Sequence, residues 1–188
     1  MKDQVRIITR FLLINVGIFV VGLLLASCGF QLQGKVQLAP PLHRLYLQTS
    51  NPYGQLAKSL RAYFNMSEVV LTTTPLDAHT ILMILDDRSS DQLLSVTSTQ
   101  QTRQYNLMVT VVFQITDAKG EIILPPQSLS ETRTITIQSN QILGNSNEAN
   151  LYYQQMRRTL AYAIMNRIAS RDVTDLIIRA FAKTDQTQ

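Results

Sequence analysis

One cysteine, no tryptophan, two histidines and seven glycines in 188 residues leave little material for several kinds of chemistry. A single cysteine closes no disulfide within its own chain and directs attention to its own reactivity. His43 and His79 stand apart from any second histidine, cysteine or carboxylate at ligand spacing, so no metal site is expected. Asp86, Asp87 and Asp91 lack the glycine and closing glutamate of a calcium loop and read as a solvated bend. There is no glycine-rich phosphate cradle, no G-x-S-x-G elbow, and no serine, histidine and acid that spacing brings together. The expectation is a non-enzyme without a cofactor. Charge is sparse too, at 16% of residues with a net +4. Lys2, Arg6, Arg10 and Asp3 all fall before residue 27, so the rest of the chain carries only +2. That balance does not argue for nucleic acid.

What is present begins with an address. The basic first ten residues precede an uncharged apolar run over residues 11–25. As a helix this run would span roughly 22 Å, short of the roughly 30 Å hydrocarbon core, so a cleaved secretory signal over residues 1–27 is the better reading. The run ends in Leu25-Ala26-Ser27-Cys28, which resembles a bacterial lipobox. That likeness implies cleavage before Cys28 and acylation of its thiol and new amine. Two or more acyl chains give stable anchoring where one gives only reversible attachment. Gly29 in place of an aspartate resembles the lipoproteins sorted to the outer membrane.

Residues 28–41 read as a tether ending in Pro40-Pro41, residues 42–182 as one domain, and 183–188 as a frayed tail. A first strand is expected over 42–48. Asn51-Pro52 supplies a helix start, and Leu56, Leu60, Tyr63 and Phe64 continue it at helical spacing. Val69–Leu71 is a short strand candidate, and 79–86 a stronger one, followed by a polar bulge or bend. The clearest strand is 104–116, with Tyr105, Leu107, Val109, Val111, Phe113 and Ile115 on one face. Asp117–Gly120 makes a turn, Pro125-Pro126 argues against a central strand, and 130–138 alternates threonine with Arg133, Ile135 and Ile137. A long helix follows from about Ser146, then a shorter C-terminal one. Strand, helix, a meander of strands and a final helix make an α+β two-layer sandwich, its second sheet face rich in threonine and glutamine. The hints of binding are Arg103, beside an expected hairpin tip, and Arg133, since an arginine fork suits phosphate or carboxylate.

Five stretches in this order carry a resemblance to the LptE family of LPS-assembly lipoproteins. They are Cys28-Gly29-Phe30-Gln31-Leu32, Leu45-Tyr46-Leu47, Asn51-Pro52-Tyr53-Gly54-Gln55-Leu56, Gln101-Thr102-Arg103-Gln104-Tyr105 and Asn147-Glu148. The resemblance implies two helices packed on one face of a mostly antiparallel four-stranded sheet. It also implies an outer-membrane lipoprotein on the periplasmic side of a Gram-negative cell, seated as a plug inside the large β-barrel LptD. Such proteins assist assembly of that barrel, bind lipopolysaccharide (LPS) and support its insertion in the outer leaflet. At the strand-loop tips where relatives carry basic residues thought to contact LPS, this chain has Ser98 and Asn145. Arg103 and Arg133 are then the candidate LPS contacts. Two other readings stay open on the residues alone: a lipoprotein scaffold for another envelope complex, and an envelope hydrolase.

Overall fold

The row of apolar residues at 107, 109, 111, 113 and 115 is the spine of the protein, and every one of the five is fully buried. They lie on β4 (Thr102–Asp117), which pairs antiparallel with β3 (Thr80–Val96) on one side and β5 (Ile122–Gln138) on the other. The computed structural model describes residues 37–97, 102–138 and 147–185. The expected signal peptide, Cys28, Ser98 and Asn145 lie outside the described residues, as do most of the tether and residues 186–188.

Among the described residues the sheet has five strands in the order β2-β1-β3-β4-β5, where four were expected. β1 (Arg44–Gln48) runs parallel to both β2 (Val70–Leu71) and β3, so the sheet is mixed. The helix α1 (Gln55–Met66) makes the crossover between β1 and β2, and a parallel pair needs such a crossover. β2 has only two residues, and its pairing to β1 is not visible as a strand-length pattern. The described helices number three, not two: α1, α2 (Asn147–Ile168) and α3 (Arg171–Asp185).

α1 begins at Gln55, not at Asn51-Pro52. Residues 51–54 form a turn closed by Gly54 N–H donating to Asn51 O at 3.1 Å, and Gly54 becomes the N-cap. A Cβ on Gly54 would sit 2.7 Å from Asn51 Nδ2, so the turn keeps the smallest residue there. The expected tether also ends earlier than residue 41. Leu38, Ala39 and Leu42 are buried in the core, and Pro40–His43 forms a 3-10 turn.

β3 and β5 are each one long strand where an interruption was expected. The polar stretch 86–91 stays in register with β4, and the strand is extruded only at Leu85 before it and at Leu94 after it, both half exposed. Pro125-Pro126 sits opposite Gln114 in a bulge of β5, an edge strand whose outer amides need no ladder partner. The turn between β4 and β5 is as expected. Gly120 has φ +91°, and Asp117 Oδ1 accepts from the N–H groups of Lys119 and Glu121, each at 2.8 Å.

Between α2 and α3 the chain turns at Ser170. Arg167 donates to Asp172 at 2.7 Å and to the Ser170 hydroxyl at 3.1 Å. The Ser170 hydroxyl first, then Arg167, hold the Asp172 carboxyl down at about 2. What this corner adds to stability is complete above the ordinary carboxylate pKa and lost as pH falls through about 2. α3 runs to Asp185 where a tail from Lys183 was expected. Val173 and Ile177 hold it in the core beside Leu42.

Candidate functional site

Strand register sorts the residues of β3, β4 and β5 onto two faces with different chemistry. The face without helices carries Arg88, Ser90, Gln92 and Ser95 on β3, with Gln104, Asn106, Met108 and Thr110 opposite on β4. β5 adds Ser128, Ser130, Thr132, Thr134 and Thr136. Thr110 and Ser130 share a hydroxyl–hydroxyl bond of 2.9 Å, and Ser95 donates to Gln104 Oε1 at 3.1 Å. This is the hydroxyl and amide face expected from the threonine alternation. Short side chains bonded across strands leave a flat polar surface with little apolar area to hide.

The opposite face carries the core and α2. Here Asp87 of β3 receives Arg157 of α2 through Nε, at 2.8 Å to Oδ1 and 3.1 Å to Oδ2. Both side chains are only 19% exposed. One turn earlier on α2, Tyr153 donates to Ser90 O at 3.3 Å. Burial, and to a lesser degree the Asp91 charge, raise the Tyr153 phenol above its ordinary pKa, keeping it a donor. Asp86 pairs with Arg88 at 3.1 Å on the exposed face. The stretch is therefore continuous strand and not a bend, and its Asp87 and Ser90 carbonyl clasp α2. Asp87→Ala would leave Arg157 half-buried without its partner. A loss of about 1–2 kcal/mol is expected, less than for a fully buried pair. Urea unfolding of Asp87→Ala, Arg157→Ala and the double variant measures the coupling.

The two arginines singled out by sequence fall on this helix-bearing face, but in different settings. Arg133 pairs with Leu107, donates to Gln155 Oε1 of α2 at 2.6 Å, and lies 5.1 Å over the Tyr152 ring. Arg103 is exposed at the start of β4, opposite Val96 and Ile137. Four residues of strand separate their rungs, about 13 Å. Exposed Leu93, Leu94 and Val96 lie on the β3 side of the rungs nearest Arg103. That end of the sheet therefore presents a cation beside apolar side chains.

Two shallow grooves adjoin on the outer side of α1 and α2. One, of about 290 Å³, is lined by Gln55, Lys58, Ser59, Ala62, Tyr63 and Arg158. The other, of about 380 Å³, is lined by Tyr63, Arg133, Gln155, Arg158, Thr159 and Tyr162. Tyr63 and Tyr162 meet at 5.9 Å between ring centroids, tilted by 54°. Sequence reasoning missed this place because Lys58 and Arg158 stand on separate helices. A larger cavity of about 650 Å³ lies at the other end of the sheet, between the β4–β5 turn and α3, with His79, Ile122 and Phe181 in its wall. Among the described residues no three of His, Cys, Asp and Glu are placed to hold a metal ion, and no helix is long and apolar enough to cross a membrane.

Residues 42–168 match the sequence model of LptE, lipopolysaccharide-assembly. The chain is 28% identical over 160 residues to the LPS-assembly lipoprotein LptE of Yersinia enterocolitica, covering 85% of this chain and 75% of that one. With the LPS-assembly lipoprotein LptE of Pectobacterium atrosepticum it shares 26% identity over 165 residues, 87% of this chain and 88% of the relative. Among solved structures, an uncharacterized lipoprotein B from Nitrosomonas europaea superimposes with a TM-score of 0.60 at 19% identity, over 75% of this chain and 90% of that one. A minor lipoprotein from Acinetobacter baumannii gives 0.53 at 24% identity, over 68% and 93%. These two likenesses speak for the fold.

Proposed function

Because the chain belongs to the LptE family of lipopolysaccharide-assembly lipoproteins, whose role is not enzymatic, we propose that it works as an outer-membrane plug. It is anchored through acylated Cys28 on the periplasmic side, lodges in an LptD-type β-barrel, assists that barrel's assembly and binds LPS on its way to the outer leaflet. The observation that carries this reading is the helix-free face of hydroxyl and amide side chains on β3, β4 and β5. The interior of a large outer-membrane barrel is polar, and such a face meets it without burying unpaired charge. The anchor requires Cys28, since two or more acyl chains on it hold a domain stably at a membrane.

LPS is both anionic and apolar. Exposed Arg103, near Leu93, Leu94 and Val96, offers a fork for phosphate next to a surface for acyl chain. Arg133 is the second contact, its guanidinium oriented by Gln155 and Tyr152. Arg103→Glu should weaken binding of purified LPS about tenfold while leaving the fold and the barrel complex intact. Undiminished LPS binding by Arg103→Glu rejects Arg103 as a contact, and absence of LPS binding by the unsubstituted protein rejects the LPS reading itself.

A further inference from the structure

We propose that the paired grooves between α1 and α2 form a second binding site, one for a phosphorylated saccharide. Arg44 bonds Asp77 O, Arg61 bonds Pro52 O, and Arg88, Arg157 and Arg167 pair with aspartates. Lys58 and Arg158 are exposed, and neither side chain has a hydrogen-bond or ion-pair partner among the described residues. Yet they converge from two helices on one groove, and Arg158 also lines the adjoining groove with Arg133.

None of the described residues lining either groove is acidic. Three positive charges thus share a concave wall with no opposing charge, where their potentials add. Arg133 is pre-oriented by Gln155 and the Tyr152 ring, which lowers the entropy lost when a ligand arrives. Tyr63, common to both grooves, and Tyr162 beside it supply ring surface with a phenol at the edge. Gln155 and Thr159 add neutral hydrogen-bonding groups. Guanidinium and ammonium groups select phosphate, while aromatic surface with amide and hydroxyl groups suits a sugar ring. Together they select a ligand that carries both.

The site rests on the reading that the chain handles LPS, and it assigns the phosphorylated sugar part of that molecule to a place separate from Arg103. It is tested with the full-length protein in detergent and four probes: intact LPS, its acyl-free phosphorylated core, the same core after phosphatase, and inorganic pyrophosphate. Lys58→Gln/Arg158→Gln should lose at least tenfold in affinity for the phosphorylated core. Arg171→Gln/Arg179→Gln, on α3, should lose none. The phosphatase-treated core should bind the unsubstituted protein no better than the phosphorylated core binds Lys58→Gln/Arg158→Gln. Retained affinity for the phosphorylated core in Lys58→Gln/Arg158→Gln overturns the site. Pyrophosphate binding as tightly as the core shows a site for free phosphate and overturns the saccharide assignment. If intact LPS binds that double variant as it binds the unsubstituted protein, the groove falls and the LPS reading stands. If intact LPS fails to bind at all while core binding still depends on Lys58 and Arg158, the groove stands and the LPS reading falls.

Discussion

Phe113→Ala should lower the unfolding free energy by about 3–5 kcal/mol, the largest single-residue loss of stability expected in this protein. Phe113 is fully buried in the C-terminal half of β4, between Ile84 on β3 and Gln127 on β5, beneath the helices. Its ring fills space in the core that Ala would leave empty, between the bulges that flank it on β3 and β5. The loss has two parts, the transfer of the removed atoms and the cavity left behind. Domains of this kind have only about 5–15 kcal/mol in total, so the variant sits near the threshold of folding. Urea unfolding followed by circular dichroism should show a lower midpoint with the slope unchanged. A loss under about 1 kcal/mol would mean that the core closes around the gap and that β4 is not its spine.

Cys28→Ala should have the largest effect on location. Without the thiol no acyl chain is attached, cleavage before residue 28 fails, and a precursor of full length accumulates without reaching the outer membrane. Metabolic labelling with a fatty acid, together with membrane fractionation, checks it. A mature band of unchanged mobility, carrying no acyl label even in the unsubstituted protein, removes the anchor from the account.

The parts of the fold legible in the sequence are those whose cause is local. β4 alternates because one face packs on helices and the other does not, and that is written directly at 105–115. Gly120 and Asp117 announce their turn by side-chain chemistry two to four residues long. The stretches misread depend on partners far along the chain. Asp87 looks like a solvated charge until Arg157, seventy residues away, is placed over it. Pro125-Pro126 looks like the end of a strand unless it is known that β5 lies at the sheet edge and bulges there. β2 was legible as a short strand at 69–71, but not its parallel pairing to β1, which depends on the crossover helix α1. The helix start at Asn51-Pro52 followed a sound capping rule, but the chain makes one further turn before the helix begins at Gln55.

The candidate site divides in the same way. The polar second face of the sheet follows from alternation alone, and the structure places its serines and threonines where the pattern puts them. Arg133 was legible as a cation on a strand, but not its contacts to Tyr152 and Gln155, which come from a helix packed across the sheet. Lys58 and Arg158 carried no sequence signal as a pair. Each flanks an apolar stripe on its own helix, and only the packing of α1 on α2 brings them to one groove.

The most direct measurement of the central claim is affinity capture of the full-length protein from detergent-solubilised outer membrane. The account predicts one large β-barrel protein recovered in equal amount and resistant to detergent and salt, since a plug is enclosed by its partner. Recovery of the protein alone, in the soluble envelope fraction and with no barrel in attendance, would contradict it.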